Sequence, residues 1–242
     1  MKIALIAGAS GVIGSACAKA LAEKGYALAL QYNEHAKRAQ ALLSALSPHT
    51  PVVVLLPANI SREKDVSELF RGIESHLGRI DLLVNCAGIA LPQRTLSEVS
   101  AEEMDRIYEV NVKGAMLLTR AAIPHLLQKE GGAIVHVSSM WGIIGGSCEA
   151  VYSASKGALN AFVKAMAKEL APSHIRVNAV APGLVPSPMN GLLSEEDLEA
   201  FRADTPLGCL ITPEQVAEAV CYLAEAEAVT GQILSVDGGI VI

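Results

Sequence analysis

The sequence is poor in aromatic residues, in paired cysteines and in clustered positive charge. Only 4% of its 242 residues are aromatic, and its formal net charge is −6 at pH 7, with no block of lysine and arginine. A chain without a basic face is a poor partner for nucleic acid, so we expect no such partner. The five cysteines are odd in number and lack the paired spacing of metal ligands, which predicts reduced thiols, a cytoplasmic protein and no metal site. They are Cys17, Cys86, Cys148, Cys209 and Cys221.

Long apolar runs, internal repeats, linkers and low-complexity tracts are also missing. The first residues, MKIALIAGASG, are apolar only briefly before glycines intervene, which indicates a strand and neither a signal peptide nor a membrane span. Hydrophobic residues nevertheless make up 51% of the chain, and 20 glycines accompany them. This composition is typical of buried parallel strands covered by helices. We therefore expect one α/β domain over residues 1–242, with no membrane contact.

Seven strand-like runs alternate with helical patterns along the chain. This alternation predicts a doubly wound, seven-stranded parallel sheet of Rossmann type, with right-handed crossovers and helices on both faces. Ligands of such sheets bind at the carboxyl ends of the strands. The runs are Lys2–Ala7, Ala27–Gln31, Val52–Leu56, Ile80–Asn85, Ala133–Ser138, Arg176–Ala181 and Ile233–Val236.

Several helix starts carry capping signals. Ser100 and Thr212 each begin a capping box, and Ser61 is predicted to cap the helix that follows the third strand. Residues 187–211 are less regular, with proline, glycine and one short helical piece after Ser194. We expect this segment to form a lid over the substrate.

A glycine-rich turn follows the first strand. Gly8–Gly14, with the sequence GASGVIG, leads into a helical pattern. Strand, glycine turn and helix in this order predict a dinucleotide site, because glycines let the backbone approach a pyrophosphate and the helix N-terminus offers free N–H groups.

The end of the second strand bears on the choice of cofactor. The residues there are Gln31, Tyr32 and Asn33, so no Asp or Glu occupies the tip to bind a ribose 2′-hydroxyl and repel a 2′-phosphate. This favours NADP(H). It does not exclude NAD(H), since no arginine occupies the tip either.

Ser139, Tyr152 and Lys156 have a spacing that supports proton transfer to a carbonyl or from an alcohol. Tyr152 and Lys156 are four residues apart on a predicted helix, so they share a face. A tyrosine hydroxyl has a pKa near 10, and a nearby ammonium group lowers that pKa. Ser139, at the end of an apolar strand, can hydrogen-bond the same substrate oxygen. A tyrosine and lysine at this spacing also occur on ordinary helix surfaces, so the interpretation depends on the dinucleotide site.

Together these residues resemble the short-chain dehydrogenase/reductase family over essentially the whole chain. Within the family the chain is similar to the 3-oxoacyl-acyl-carrier-protein reductases of fatty acid biosynthesis, which share its length, its Tyr-Ser-Ala-Ser-Lys core and its Val-Asp-Gly-Gly ending. The resemblance implies NADPH-dependent reduction of a ketone by a homotetramer, with a dimer as the alternative. The matching motifs are Gly8–Gly14, Asn85-Cys86-Ala87-Gly88, Asn111, Ser139 with Tyr152 and Lys156, Pro182-Gly183, Thr230-Gly231 and Val236-Asp237-Gly238-Gly239.

The resemblance also implies a role for each catalytic residue. Tyr152 is the general acid, and Lys156 lowers the pKa of Tyr152 and binds the nicotinamide ribose. Ser139 holds the substrate carbonyl, and Asn111 helps to keep a water in a proton relay. The cofactor is expected to contact motif residues at the strand ends. They are Gly8, Ser10, Gly11, Val12, Ile13, Gly14, Tyr32, Asn33, Asn59, Ile60, Asn85, Ala87, Gly88, Tyr152, Lys156, Pro182, Gly183, Val185 and Ser187.

Several positions depart from the family pattern, among them Gly11, which stands where NADP-preferring members often carry a basic residue. Ala7 stands where a threonine usually braces the loop, and Val12 replaces the middle glycine, so its side chain must be accommodated near the cofactor. Asn59 replaces an aspartate that meets adenine, although its amide oxygen can accept the same hydrogen bond. Cys86 replaces an asparagine and is expected only to pack. The departures at Ala7 and Val12 keep open a second hypothesis, a non-catalytic NAD(P)-binding redox regulator.

The substrate side offers two candidate residues, Trp141 and Glu149. Trp141, the only tryptophan, either packs in the core or a subunit interface or forms a pocket wall. Glu149 lies three residues before Tyr152, where many acyl-carrier-protein reductases have glutamine, and in the cleft it would favour a cationic or polar substrate. The surrounding pattern is similar to a reductase subgroup that acts on an aminopentanone group attached to translation elongation factor P. The expected partner is thus an acyl carrier protein or elongation factor P.

Overall fold

Seven parallel strands form one sheet in the computed structural model, which describes residues 1–47, 50, 52–187 and 193–242. Their order is β3-β2-β1-β4-β5-β6-β7, so the direction of winding reverses between β1 and β4. The predicted sheet is confirmed, and the strand limits lie within two residues of those predicted. The strands are β1 (Ile3–Ala7), β2 (Ala27–Tyr32), β3 (Val53–Pro57), β4 (Leu82–Asn85), β5 (Gly132–Val137), β6 (Ile175–Pro182) and β7 (Ile233–Val236).

Helices connect the strands. A π-helical turn, Glu109–Gly114, joins α4 to α5, and short 3-10 turns lie at Leu96–Glu98 and Ala171–Ser173. No helix within the described ranges is long and apolar enough to cross a membrane. The helices are α1 (Val12–Glu23), α2 (Ala36–Leu46), α3 (Glu63–His76), α4 (Ala101–Tyr108), α5 (Ala115–Gln128), α6 (Trp141–Ile144), α7 (Ala150–Leu170), α8 (Glu195–Asp204) and α9 (Pro213–Glu225).

Both faces of the sheet are covered by helices, because both faces are apolar. In β1, Ala4 and Ile6 join a core with α1, α2 and α9, whereas Ile3 and Leu5 join a second core with α3, α5 and α7. Successive side chains of a strand point to opposite faces, so a strand buried on both sides is a continuous apolar run. Packing on both faces leaves the strand ends as the place for a ligand site.

The helix caps confirm most of the predicted starts. Ser100 and Thr212 accept hydrogen bonds from the backbone three residues on, as does Ser194 at the start of α8. Ser61 as the cap of α3 is wrong: the N-cap is Arg62, without a side-chain cap hydrogen bond. The hydroxyl of Ser61 instead donates to Asn59 Oδ1 at 2.8 Å, and so does its backbone N–H at 3.0 Å. Asn59 thus engages Ser61 before the helix begins.

Candidate active site

The glycine turn between β1 and α1 is shaped by two close approaches. Gly8 has φ +74°, and a Cβ atom there would lie 2.7 Å from the backbone nitrogen of Ala87 at the end of β4. A Cβ on Gly14 would overlap the carbonyl oxygen of Gly8 and lie 2.9 Å from Ala9 Cα. The turn can therefore fold tightly only with glycine at both positions.

Gln31 holds this turn in place, a role that was not predicted. Its buried side chain accepts a hydrogen bond from Gly8 N at 2.8 Å and donates one to Ala58 O at 2.7 Å. It thereby joins the carboxyl ends of β1 and β3 across β2. The signal was a single polar residue in the otherwise apolar run ALALQY.

The structure brings Ser139, Tyr152 and Lys156 together at the carboxyl end of β5. Tyr152 lies in the first turn of α7, where its hydroxyl is close enough to the Ser139 side chain to be influenced by it. Ser139 Oγ also accepts a hydrogen bond from the backbone N–H of Trp141 at 3.2 Å. Lys156 is buried, and its Nζ donates to Val137 O at 2.8 Å. The two hydroxyl groups and the amine thus lie around one point beside the strand end.

The pKa values of Tyr152 and Lys156 are shifted in opposite directions. Desolvation raises the pKa of Tyr152 to about 12, the hydrogen bond with Ser139 opposes this, and the charge of Glu149 adds to it. Desolvation lowers the pKa of Lys156 to about 8. Lys156 Nζ lies over the tyrosine ring, 5.6 Å from its centroid, and donates to Val137 O, and it is not among the groups that shift the pKa of Tyr152 in this structure. Tyr152 is therefore protonated at neutral pH, the state in which it can donate a proton. That Lys156 lowers the pKa of Tyr152 stays a prediction.

Asn111 lies in the π-helical turn between α4 and α5 and is buried. Its Oδ1 accepts a hydrogen bond from Ile89 N at 2.9 Å, and its Nδ2 donates to Ile89 O at 2.9 Å and to Ser155 Oγ at 3.1 Å. The side chain thus ties the loop after β4 to α7 next to Tyr152. An extra residue in a helical turn often marks a functional site.

Asn85 at the tip of β4 is held by a second buried group, His136. Asn85 Oδ1 accepts a hydrogen bond from Ala87 N at 3.2 Å, and its Nδ2 lies 3.2 Å from His136 Nδ1. The other ring nitrogen of His136 lies 3.2 Å from Thr119 Oγ1. Desolvation lowers the pKa of His136 to about 3, so the ring is neutral and can accept from Asn85. The turn that presents Ala87 and Gly88 is thereby fixed.

The remaining predicted cofactor residues lie at the same edge of the sheet and differ in burial and in their contacts. Tyr32 is half-buried and Asn33 is exposed at the end of β2. Asn59 Oδ1 is engaged by Ser61, and Ile60 is buried at a position where it limits the space beside Gly114. Cys86, which was expected only to pack, lies with its sulfur 4.0 Å from that of Cys17.

The end of β6 leads towards the predicted lid. Gly183 N donates to Val236 O at 2.9 Å, and Ile211 N donates to Leu184 O at 3.0 Å, so both ends of the segment are anchored. Val185 is buried and Ser187 lies in a bend. Within the predicted lid the described part contains α8, whereas residues 188–192 lie outside the described residues.

Trp141 and Glu149 flank Tyr152. Trp141 begins α6 and packs edge-on against Phe201 of α8, with ring centroids 6.3 Å apart. Glu149 shares a cleft with Tyr152 and Leu91, and desolvation raises the pKa of its carboxyl group, which bonds Gln93. The tryptophan therefore contacts α8, which lies within the predicted lid, and Glu149 lines the same small cavity as Tyr152.

Known proteins with similar sequence extend this description. A family model described as enoyl-(acyl carrier protein) reductase matches residues 7–241. The chain belongs to the short-chain dehydrogenase/reductase family. This short-chain dehydrogenase/reductase is 40% identical to the human 3-oxoacyl-[acyl-carrier-protein] reductase over 99% of this chain and 98% of the human one. It is 39% identical to the uncharacterized oxidoreductase YmfI of Bacillus subtilis, over 98% of each chain.

A solved structure confirms the fold of the short-chain dehydrogenase/reductase. The 3-ketoacyl-(acyl-carrier-protein) reductase from Brucella melitensis, complexed with NADH, is similar with a TM-score of 0.93 and 34% sequence identity, covering 100% of this chain and 98% of that chain. The chain is thus an oxidoreductase of a family that uses nicotinamide cofactors.

The glycine turn fits such a cofactor. The first turn of α1 carries no acidic residue, and its N-cap, Gly11, has no side-chain cap hydrogen bond. The N–H groups at this helix start are therefore left for an anionic ligand such as a pyrophosphate. No cluster of three metal-ligating side chains occurs in the part of the chain that the structure describes.

Proposed function

We propose that this short-chain dehydrogenase/reductase reduces a ketone to a secondary alcohol with NADPH, and that Tyr152 donates the proton. The observation that carries the proposal is the placement of the Ser139 and Tyr152 side chains together at the end of β5, with buried Lys156 beside them and the glycine turn at the same edge of the sheet. The predicted cofactor contacts at the strand ends are part of this proposal.

Each residue has a defined task in this mechanism. The nicotinamide, when bound, supplies a hydride to the carbonyl carbon. Ser139 donates a hydrogen bond to the substrate oxygen and so polarises the carbonyl. Tyr152 gives its hydroxyl proton to that oxygen, and the two bonds formed, C–H and O–H, complete the alcohol. Lys156 then stabilises the phenolate, whose charge is favoured by a nearby ammonium group.

The expected substrate is a 3-oxoacyl group on an acyl carrier protein. Support comes from the names of the human relative and the Brucella neighbour, both of which are carrier-protein reductases. We also propose a cytoplasmic homotetramer with residues 187–211 as a lid; the five free cysteines fit a reducing compartment.

A second candidate substrate is an amino ketone, such as an aminopentanone attached to elongation factor P. It is favoured by Glu149, which lines a small cavity together with Tyr152. A carboxylate there would pair with a cationic group on the substrate and repel an anionic one.

We expect acetoacetyl thioester to be reduced with NADPH, measured as loss of nicotinamide absorbance, with a lower KM for NADPH than for NADH because no acidic residue meets the 2′-phosphate. Crotonyl thioester, which has a carbon–carbon double bond in place of the ketone, should not be reduced. Reduction of the crotonyl compound alone would contradict the proposal. Binding of a nucleotide without reduction of any ketone would favour the non-catalytic NAD(P)-binding regulator instead.

The amino-ketone candidate is tested by Glu149→Gln with two ketones of equal shape at pH 8. 5-(Dimethylamino)pentan-2-one carries a cation, and 6-methylheptan-2-one does not. Loss of the carboxylate should lower kcat/KM for the amino ketone about three- to tenfold relative to its neutral isostere, since partly exposed ion pairs contribute about 1 kcal/mol. Glu169→Gln removes the same charge from an exposed position in the last turn of α7 and should leave kcat/KM unchanged for both ketones. An unchanged ratio in Glu149→Gln would count against a cationic substrate.

A further inference from the structure

One buried amide, Asn160, holds both ends of the segment that carries Ser139. Ser138 Oγ donates to Asn160 Oδ1 at 2.6 Å, and Asn160 Nδ2 donates to Gly142 O at 2.9 Å. Ser138 precedes Ser139 directly, and Gly142 lies three residues after it. The side chain therefore spans the segment from one end to the other.

Asn160 is placed so that its two hydrogen bonds can affect the proposed catalytic groups. It follows Lys156 by four residues on α7, a helix that packs against β6 and α6, so both residues share one helix face. Only 7% of Asn160 and 3% of Ser138 are exposed, so water cannot readily replace either hydrogen bond.

The segment between the two contacts also fixes the Ser139 hydroxyl. Ser139 O accepts a hydrogen bond from Gly142 N at 2.9 Å, and Ser139 Oγ accepts one from Trp141 N at 3.2 Å. The turn that orients Ser139 Oγ thus ends at the carbonyl that Asn160 holds. A displacement of this turn would move the hydroxyl away from Tyr152.

We propose that Asn160 is a positioning residue that sets the place of the Ser139 hydroxyl relative to Tyr152. The proposal rests on the proposed function, in which Ser139 polarises the carbonyl. Asn160 touches neither the substrate nor the cofactor in this role; it acts through Ser138 and Gly142.

The test is Asn160→Leu, which keeps a side chain of similar size and removes both hydrogen bonds. We expect kcat for acetoacetyl thioester to fall about 10- to 100-fold, since small misplacements of catalytic groups have effects of this order. The dissociation constant of NADPH should stay unchanged, because the glycine turn is untouched. Ser138→Ala, which removes only one of the two bonds, should give a smaller loss.

A matched control separates positioning from lost stability. Asn178 on β6 is also a buried amide with two backbone partners, since its Nδ2 donates to Val229 O at 2.8 Å and its Oδ1 accepts from Gln232 N at 3.0 Å. These partners lie at the start of β7, away from the strand ends that form the site. Asn178→Leu should lower the unfolding temperature as much as Asn160→Leu and leave kcat unchanged.

The decisive measurement is a double-mutant cycle with Ser139→Ala. If Asn160 acts through Ser139, Asn160→Leu should change the residual kcat of Ser139→Ala less than about threefold. An equal loss in both backgrounds, or a wild-type kcat in Asn160→Leu, would overturn the positioning role while leaving the proposed function intact. Full turnover in Ser139→Ala would overturn the proposed role of Ser139, and with it this inference.

Discussion

Tyr152→Phe should lower ketone reduction by about 100- to 10,000-fold, the range expected for loss of a general acid. Phenylalanine keeps the ring that lies beneath the Lys156 amine and loses only the hydroxyl beside Ser139. Binding of NADPH should stay within about threefold of the wild-type value, because removal of one hydrogen bond has only a modest effect. Single-turnover kinetics measure the rate of ketone reduction, and nicotinamide fluorescence measures the binding of NADPH.

Tyr26→Phe is the matched control for this change. Tyr26 is a buried tyrosine in the core formed with α1 and α9, away from Ser139 and Lys156. Removing its hydroxyl should leave turnover unchanged. Equal activity of the Tyr152→Phe and Tyr26→Phe enzymes would show that another group supplies the proton.

Gly14→Ala should abolish tight binding of the nucleotide, whereas Gly11→Ala should be tolerated. A methyl group on Gly14 overlaps the Gly8 carbonyl and presses on Ala9, so the turn must open. A methyl group on Gly11 would meet only Gly8 O at 3.3 Å. We expect NADPH affinity to fall more than about 100-fold in Gly14→Ala and less than about tenfold in Gly11→Ala, measured by fluorescence titration.

Thermal unfolding separates the two variants further. Each kcal/mol lost from the free energy of unfolding lowers the melting temperature of a domain of this size by about 2–4 °C. Gly14→Ala should melt several degrees below wild type, and Gly11→Ala should melt close to it. Equal losses of affinity and melting temperature in both variants would contradict the geometry described for the turn.

The sheet and the motif positions could be predicted because the chain's local patterns agree with its fold. Strands buried on both faces must be continuous apolar runs, and each motif directly follows one of them. Gly8, Asn85, Ser139 and Pro182 could therefore be assigned to one edge of the sheet before any contact was known.

Contacts between distant segments could not be predicted from these patterns. Gln31 and His136 were visible as single polar residues within apolar strands, but their partners Gly8, Ala58 and Asn85 are set by strand order. The direction of the Lys156 amine, which decides its effect on Tyr152, depends on the carbonyl of Val137.

Two local predictions failed or were incomplete, for different reasons. Ser61 was predicted to cap α3, but its backbone N–H and its hydroxyl both donate to Asn59 Oδ1, and the helix begins one residue later, with Arg62 as the N-cap. The π-helical turn at Asn111 has no signature in the sequence, since the helical pattern continues through it.

The pairing of β1 with β4 has a consequence for the protein during its own synthesis. Ala7 of β1 pairs with Asn85 of β4, and Gly8 packs closely against Ala87. The ribosome synthesises β4 long after β1 and the glycine turn. At a rate of roughly 5–20 residues per second, the nascent chain waits several seconds with one edge of β1 unpaired. Such an edge can pair with another strand, so this interval is when the chain is most exposed to aggregation and most in need of a chaperone.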